Sequence, residues 1–203
     1  MSKSETRNLN VALDASHPIW DRFFTVAPLV VVGSQESDGR HNLAPKHMAM
    51  PLGWQNYFCF VCSPRHTTYH NIQRTREFTV SYLRPSQTLL ATLAAAPRCE
   101  DHVKPSLLAL PTIPALRVNG VLVQDAYVGL ECTLHSIVDG FGANGLIIGT
   151  IVAAIASEDA LRVDDRDENE QLYEHPLLAY LHPGRMAEIR DTNAFPFPKD
   201  FAR

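Results

Sequence analysis

The sequence predicts a mainly β protein, a barrel or sandwich of roughly six or seven strands carrying one or two short helices. Three observations point there. β-Branched and aromatic runs recur and are punctuated by turn residues, as at Leu29–Val32, Tyr57–Cys62 and Phe78–Leu83. Asp38-Gly39 separates two extended stretches, a pair whose tolerance of positive φ suits a tight hairpin. The longest apolar stretch, Leu146–Ala156, is rich in β-branched residues and contains Gly149, so it reads as strand.

Taken in order, residues 1–12 are a polar arm. Ser16 and Pro18 then open a short helix whose apolar face is Ile19, Trp20, Phe23 and Phe24. Residues 1–25 thus precede a main domain over 26–190, and 191–203 is a tail in which Phe195-Pro-Phe-Pro precludes regular structure. Leu29–Val32 is a buried strand. After the hairpin the chain returns as His41–Ala44, stopped by Pro45, which has no N–H for a ladder. Ser63-Pro64-Arg65 ends the strand Tyr57–Cys62, and His66–Thr75 reads as a short helix capped by Thr67 or Thr68. The strand Phe78–Leu83 leads to a helix capped by Ser86 and ended by Pro97. Pro97, Pro105, Pro111 and Pro114 make 97–117 an excursion with short helical pieces. Val118–Val123, Tyr127–Val138 and Leu146–Ser157 are strands, Glu158–Glu174 is an acidic exposed loop, and Leu177–Ile189 is a last short element.

At 203 residues and 45% hydrophobic content, the chain supports a full core in one domain. A net charge of −4 argues against nucleic acid as a partner, because phosphate neutralisation needs many clustered cations. The polar opening MSKSETRNLN is not a secretory signal, and no apolar run reaches the ~20 residues that cross a bilayer. The cysteines, Cys59, Cys62, Cys99 and Cys132, are unevenly spaced and read as buried reduced thiols. A cytoplasmic protein with no membrane partner is expected.

Charge is not spread evenly. The segment Arg40–Arg76 holds five cations (Arg40, Lys46, Arg65, Arg74, Arg76), four histidines and no carboxylate, so the remainder of the chain carries −9. One cationic segment in an acidic chain suggests a small anion held locally. Gly140-Phe-Gly-Ala-Asn-Gly145 matches a dinucleotide-binding glycine pattern, with Asp164 and Asp165 near the expected ribose acid. That motif requires a following helix, and a strand follows here, so a hairpin turn is the better reading. Cys59 and Cys62 fall on opposite faces of a strand, and no second pair completes a metal site. His66 and His70 are four apart on a helix, yet they lack a metalloprotease glutamate and a third ligand. Phosphate is the better guest for this turn. A helix N-terminus offers free N–H groups, Ser63, Thr67 and Thr68 add hydroxyls, and Arg65 can grip two oxygens.

With these residues in view, the chain resembles the flavin reductase-like family of FMN-binding split β-barrels. One signature is matched by Val30–Val32, Gly39, Asn42, Ala44 and Pro45, a second by Thr68, Tyr69, Asn71, Ile72, Glu77 and Phe78, and a third by Leu130–Cys132 and Leu146–Gly149. The resemblance implies that Asn42, Ala44, Pro45, Lys46, His47 and Met48 border a flavin ring. Ser63, Arg65, Thr67 and Thr68 would hold its phosphate, with Asn71 beside them. FMN or FAD would be the flavin and NADH or NADPH the electron donor, in a homodimer contacting its partner through Tyr180–Arg185 or the Trp54 region. His47 stands where the family often has Ser, and Leu52–Gln55 replaces the usual Asp-Pro-Pro. The expected activity is hydride transfer from a nicotinamide nucleotide to flavin, with Lys46 or His47 stabilising the reduced pyrimidine edge. The alternative is a non-catalytic flavin carrier, sensor or partner subunit. A histidine-based metal protein ranks third.

Overall fold

The computed structural model describes residues 10–99, 104–162 and 166–196. Its main sheet has seven strands: β2 (Val30–Gln35), β3 (His41–Lys46), β4 (Ala49–Pro51), β5 (Tyr57–Cys62), β6 (Glu77–Tyr82), and the long pair Val128–Phe141 and Asn144–Ala156. Numbering continues from β1 (Thr25–Pro28) in a second sheet, through β7 (Thr112–Pro114) and β8 (Val121–Val123), so the long pair is β9 and β10. The order across the main sheet is β3-β2-β6-β9-β10-β5-β4, with every neighbouring pair antiparallel.

This order dictates the shape. Strands β3 and β4 lie at opposite edges, yet only His47 and Met48 separate them in sequence. A flat seven-stranded sheet would hold its edges about 29 Å apart. Three Cα steps reach at most about 11 Å. The sheet must therefore curl until its edges nearly meet, and residues 46–49 form the seam of a split barrel. Lys46 still pairs with Val30 on one side of the seam, while the Val61 N–H already donates to the Met48 carbonyl (2.8 Å) on the other.

Strand alternation separates two cores. Val30, Val32, Phe58, Phe60, Phe78, Val80, Cys132 and Ile147 fill the barrel, and Tyr69 and Ile72 of helix α1 (Thr67–Thr75) join them. Outside the barrel, Val31 and Leu43 pack under helix α2 (Thr88–Ala95) and the segment that follows, through Ala91, Ala94, Leu110 and Val123. The two-stranded ribbon β7–β8 is fastened to the outer face by polar groups. The fully buried Glu131 carboxylate accepts the N–H groups of Leu116, Arg117 and Val118 (2.8, 2.6 and 3.2 Å). Thr79 donates to the Val121 carbonyl, and the Ser81 hydroxyl accepts from the Val123 N–H. After helix α3 (Glu168–Glu174), β11 (Leu177–His182) and β12 (Arg185–Ile189) form a hairpin that pairs with β1.

Several expectations need correction. Residues 16–24 form turns with no helix, and Trp20 and Phe24 are exposed, because helical spacing of aromatics does not supply a surface to bury them. Pro45 does not stop its strand: β3 continues to Lys46, since an edge strand loses nothing by a missing outward N–H. Neither expected cap acts as one. His66 occupies the α1 cap without a side-chain bond, and Gln87 precedes α2 after a 3-10 turn at Pro85–Gln87. The acidic stretch is not all loop, because Asp167 caps α3 by accepting from the N–H groups of Asn169 and Glu170. Residues 163–165 of that stretch lie outside the described residues, as do 1–9 and 197–203. Cys59, Cys62 and Cys132 are buried thiols; Cys99 is exposed. The glycine-rich stretch Gly140–Gly145 holds the β9–β10 hairpin turn, at Gly142-Ala143.

Candidate functional site

Just past the strand end at Cys62, the chain turns through Ser63–His66 into α1. The Ser63 hydroxyl accepts the Arg65 N–H (3.3 Å), and the His66 N–H reaches the Ser63 carbonyl (3.0 Å). The first N–H groups of a helix have no intrahelical acceptor, and the cap residue offers them no side chain. Thr67 and Thr68, which carry the first two of these groups, line a cleft of about 500 Å³, while the Tyr69 N–H is taken by the His66 carbonyl (3.0 Å).

The cleft brings together Asn42, Ala44, Pro45 and Lys46 from the seam end of β3, and Arg65, His66, Thr67 and Thr68 from the α1 entry. The opposite wall is the C-terminal end of α2, with Arg98 and Lys104 beyond it. Among the described residues no carboxylate lines it. Asn42 and Thr68 are both buried and fix strand to helix: the Asn42 amide donates to the Thr68 hydroxyl (3.1 Å). Thr68 keeps its own proton for a further acceptor. Arg98 donates to the Asn42 amide oxygen (3.2 Å) and to Glu36 (2.5 Å), and Lys104 bonds the carbonyls of Leu43 and Ala94 (3.2 and 2.9 Å).

Electrostatics follow from this crowding. Burial pushes the Lys104 ammonium below its ordinary value, and Arg98 and Lys46 add to that while Glu36 opposes it. His66 is lowered by burial, then by Lys46 and Lys104. An anion entering the cleft would offset this mutual repulsion. The donor set, cationic side chains together with hydroxyls and free helix N–H groups, fits a phosphate ester.

Four predicted residues lie elsewhere. Ser63 shapes the turn and is not among the cleft-lining residues. Asn71 is buried and donates to the Ser34 hydroxyl (3.1 Å), a structural tie between α1 and β2. His47 and Met48 wall a second cavity of about 590 Å³. Arg98 and Lys104, which sequence reasoning missed, sit in the proline-rich excursion beside Glu100 and Asp101, where local charge cancels. The His66 and His70 side chains join no group of three metal-ligating side chains among the described residues.

The sequence model of the flavin reductase like domain matches residues 22–182. The chain belongs to that family. Among solved structures, this flavin reductase like chain is similar to flavoredoxin from Methanosarcina acetivorans (14% identity, 94% of this chain and 96% of that one, TM-score 0.74). It is similar also to an FMN-binding protein from Thermus thermophilus (19%, 92% and 99%, TM-score 0.73). A third likeness is to an NADH:FAD oxidoreductase from Streptomyces globisporus (14%, 80% and 86%, TM-score 0.64). At these identities the likeness establishes the split-barrel fold. Membership of the flavin reductase like family makes the chain a flavin-related oxidoreductase. No helix among the described residues is long and apolar enough to cross a membrane.

Proposed function

We propose that this chain binds FMN with its phosphate in the cationic cleft and its ring directed along Ala44–Met48, and accepts a hydride from NADH or NADPH. The observation that carries the reading is the cleft at the start of α1, lined by no carboxylate among the described residues, which opens beside the barrel seam. Lys46 and Arg65 neutralise the phosphate, Thr67 and Thr68 donate to it, and the Asn42–Thr68 bond holds strand and helix in register around it. Ala44 and Pro45 leave the ring edge without a bulky neighbour. When bound, flavin supplies the electron-transfer chemistry, so the protein needs to position and polarise it. An oxidoreductase of this name among the structural neighbours uses NADH and FAD, which supports a nicotinamide donor. FMN, whose one phosphate matches the single helix entry, is the flavin we assign.

Anaerobic addition of NADH or NADPH to the FMN-loaded protein should bleach the yellow flavin band. Bound flavin that stays yellow with both donors would sink the enzyme and leave a carrier or sensor.

We also propose a homodimer formed through the seam face, where Trp20, Val26, Met48, Met50 and Trp54 are exposed. Sedimentation of the FMN-loaded protein should give twice the chain mass, and a single monomeric species would refute this. The four free thiols suit a reducing, cytoplasmic setting.

A further inference from the structure

A third cavity, of about 220 Å³, adjoins the cationic cleft and shares Arg98 and Lys104 with it. These two side chains form the partition between the spaces, and both are pinned. Arg98 bonds Asn42, which lines the cleft, and Glu36, which lines the third cavity. The Arg98–Glu36 pair is largely buried, with 25% and 16% of the two side chains exposed. Lys104 is fixed by the Leu43 and Ala94 carbonyls.

Arg40 adds a third cation to the lining of the small cavity, and Glu36 is the one carboxylate there among the described residues. Asp38 pairs with Arg40 at the hairpin turn (2.6 Å), where both side chains are about half exposed and solvent weakens the attraction. Burial and the neighbouring Arg98 hold the Lys104 ammonium below its ordinary value. Positive charge is therefore crowded on both sides of the partition, and the flavin phosphate of the reading above answers it on one side only.

Size and rim narrow the class of ligand. The volume of about 220 Å³ lies below the roughly 300–1,000 Å³ of whole small-molecule sites, so the cavity takes a fragment, an anionic group and part of what carries it. A 3-10 turn at Pro105–Ala109 sets Leu107 and Leu108 on the wall, the latter 90% exposed. They make an apolar ledge for the face of a base beside a charged pocket. A dinucleotide flavin does not suit this division, because its two phosphates share an oxygen atom and have to occupy one space. The second anion then belongs to a separate molecule, and the proposed reaction already calls for one. NADPH differs from NADH by a single phosphate on the adenosine 2′-oxygen, which brings about −1.5 to −2 charges where NADH has a neutral hydroxyl.

We propose that the third cavity binds the 2′-phosphate of NADPH between Arg40, Arg98 and Lys104, with the adenine against Leu108, and so selects NADPH over NADH. The identity of the donor rests on the hydride-transfer reading above, whereas the anion pocket rests on its own lining.

The test is equilibrium dialysis of the full FMN-loaded chain against adenosine 2′,5′-bisphosphate, adenosine 3′,5′-bisphosphate and AMP, followed by turnover with NADPH and with NADH. The 2′,5′-bisphosphate should bind about tenfold or more tighter than AMP, and tighter than the 3′,5′ isomer of equal charge. The ratio of kcat/KM for NADPH to that for NADH should show a similar margin. Arg40→Gln should cut both margins severalfold and Arg40→Lys should keep most of each, with FMN affinity unchanged in both, since Arg40 lines the third cavity and not the cleft. Leu108→Glu, at the rim, should likewise weaken the 2′,5′-bisphosphate. Equal binding of AMP and the two bisphosphates, displacement of FMN by the 2′,5′-bisphosphate, or margins untouched by Arg40→Gln would overturn the assignment. So would tighter binding of FAD than of FMN that Arg40→Gln abolishes, because the cavity would then hold the adenylate half of the flavin. A chain that binds the 2′,5′-bisphosphate as expected but takes a hydride from neither donor refutes the enzyme reading and leaves the pocket standing.

Discussion

Arg65 and Lys46 approach one cleft from a turn and from a strand end, although nineteen positions separate them in sequence. On the reading proposed above each would supply charge-assisted hydrogen bonds to a phosphate, and such bonds exceed neutral ones roughly twofold in strength. Replacing both with alanine should weaken FMN binding about tenfold or more and leave riboflavin, which lacks the phosphate, nearly unaffected. Fluorescence titration with both ligands decides it: a parallel loss would place the phosphate elsewhere. These two residues were legible in the sequence because no carboxylate lies near them in the chain. Arg98 and Lys104 were not, since flanking acids masked their sign and only folding carries them to the cleft wall. Asn71 lies away from the cleft lining. It belongs to a family signature, and its amide serves the contact to Ser34.

At the level of elements, β9 and β10 reach further than any other strands and form the back of the barrel. Gly149, beside a register shift in β10, lies where a Cβ would come within 2.4 Å of the Phe78 ring and 3.1 Å of the Cys132 Cβ. Phe78 is buried in the barrel core against Phe60. Gly149→Ala should therefore cost about 1–3 kcal/mol of stability through overpacking. Phe78→Leu in the same chain should recover part of that loss, and urea unfolding of the four chains of the cycle measures the coupling. Purely additive losses would contradict the close approach. Alternation and β-branching made these strands readable in advance. The turn-forming residues 16–24 were not readable, because apolar spacing reports an amphipathic face and says nothing about what covers it. Helix α3 escaped notice because a run of acids looks solvated whether it is coiled or helical.

Across the whole molecule, Arg84 ties segments that are distant in sequence. Its Nε donates to the Asp125 carbonyl (3.2 Å), its terminal nitrogen to Ser157 and to Asp159 (2.6 Å), and its guanidinium lies over Tyr127. His175, at the end of α3, meets the other Asp159 oxygen at 3.1 Å. The Arg84 hydrogen bond holds the Asp159 carboxyl down to about 2, from an ordinary 3.8. The folded state thus binds fewer protons than the unfolded one in that interval, so stability is fully present above 3.8 and declines as pH falls through about 2. His41, His47 and His66 are each lowered from 6.5, principally by burial, and for them stability is complete above 6.5 and declines as pH drops below it. Urea midpoints should accordingly fall in two stages on acidification. Arg84→Ala should abolish most of the lower stage and leave the upper one in place, whereas a midpoint independent of pH would contradict both assignments.

The pairing of β1 with β11 has a practical corollary. Thr25 stands opposite His182, about 5 Å away as cross-strand neighbours are, and these residues nearly coincide with the limits of the matched domain. The matched stretch therefore enters and leaves side by side. Because β12 follows and pairs with β11 as far back as Leu177, an insert that keeps this sheet whole ends at Ile189, at the far end of β11, and a host loop has to span the length of that strand to accept it.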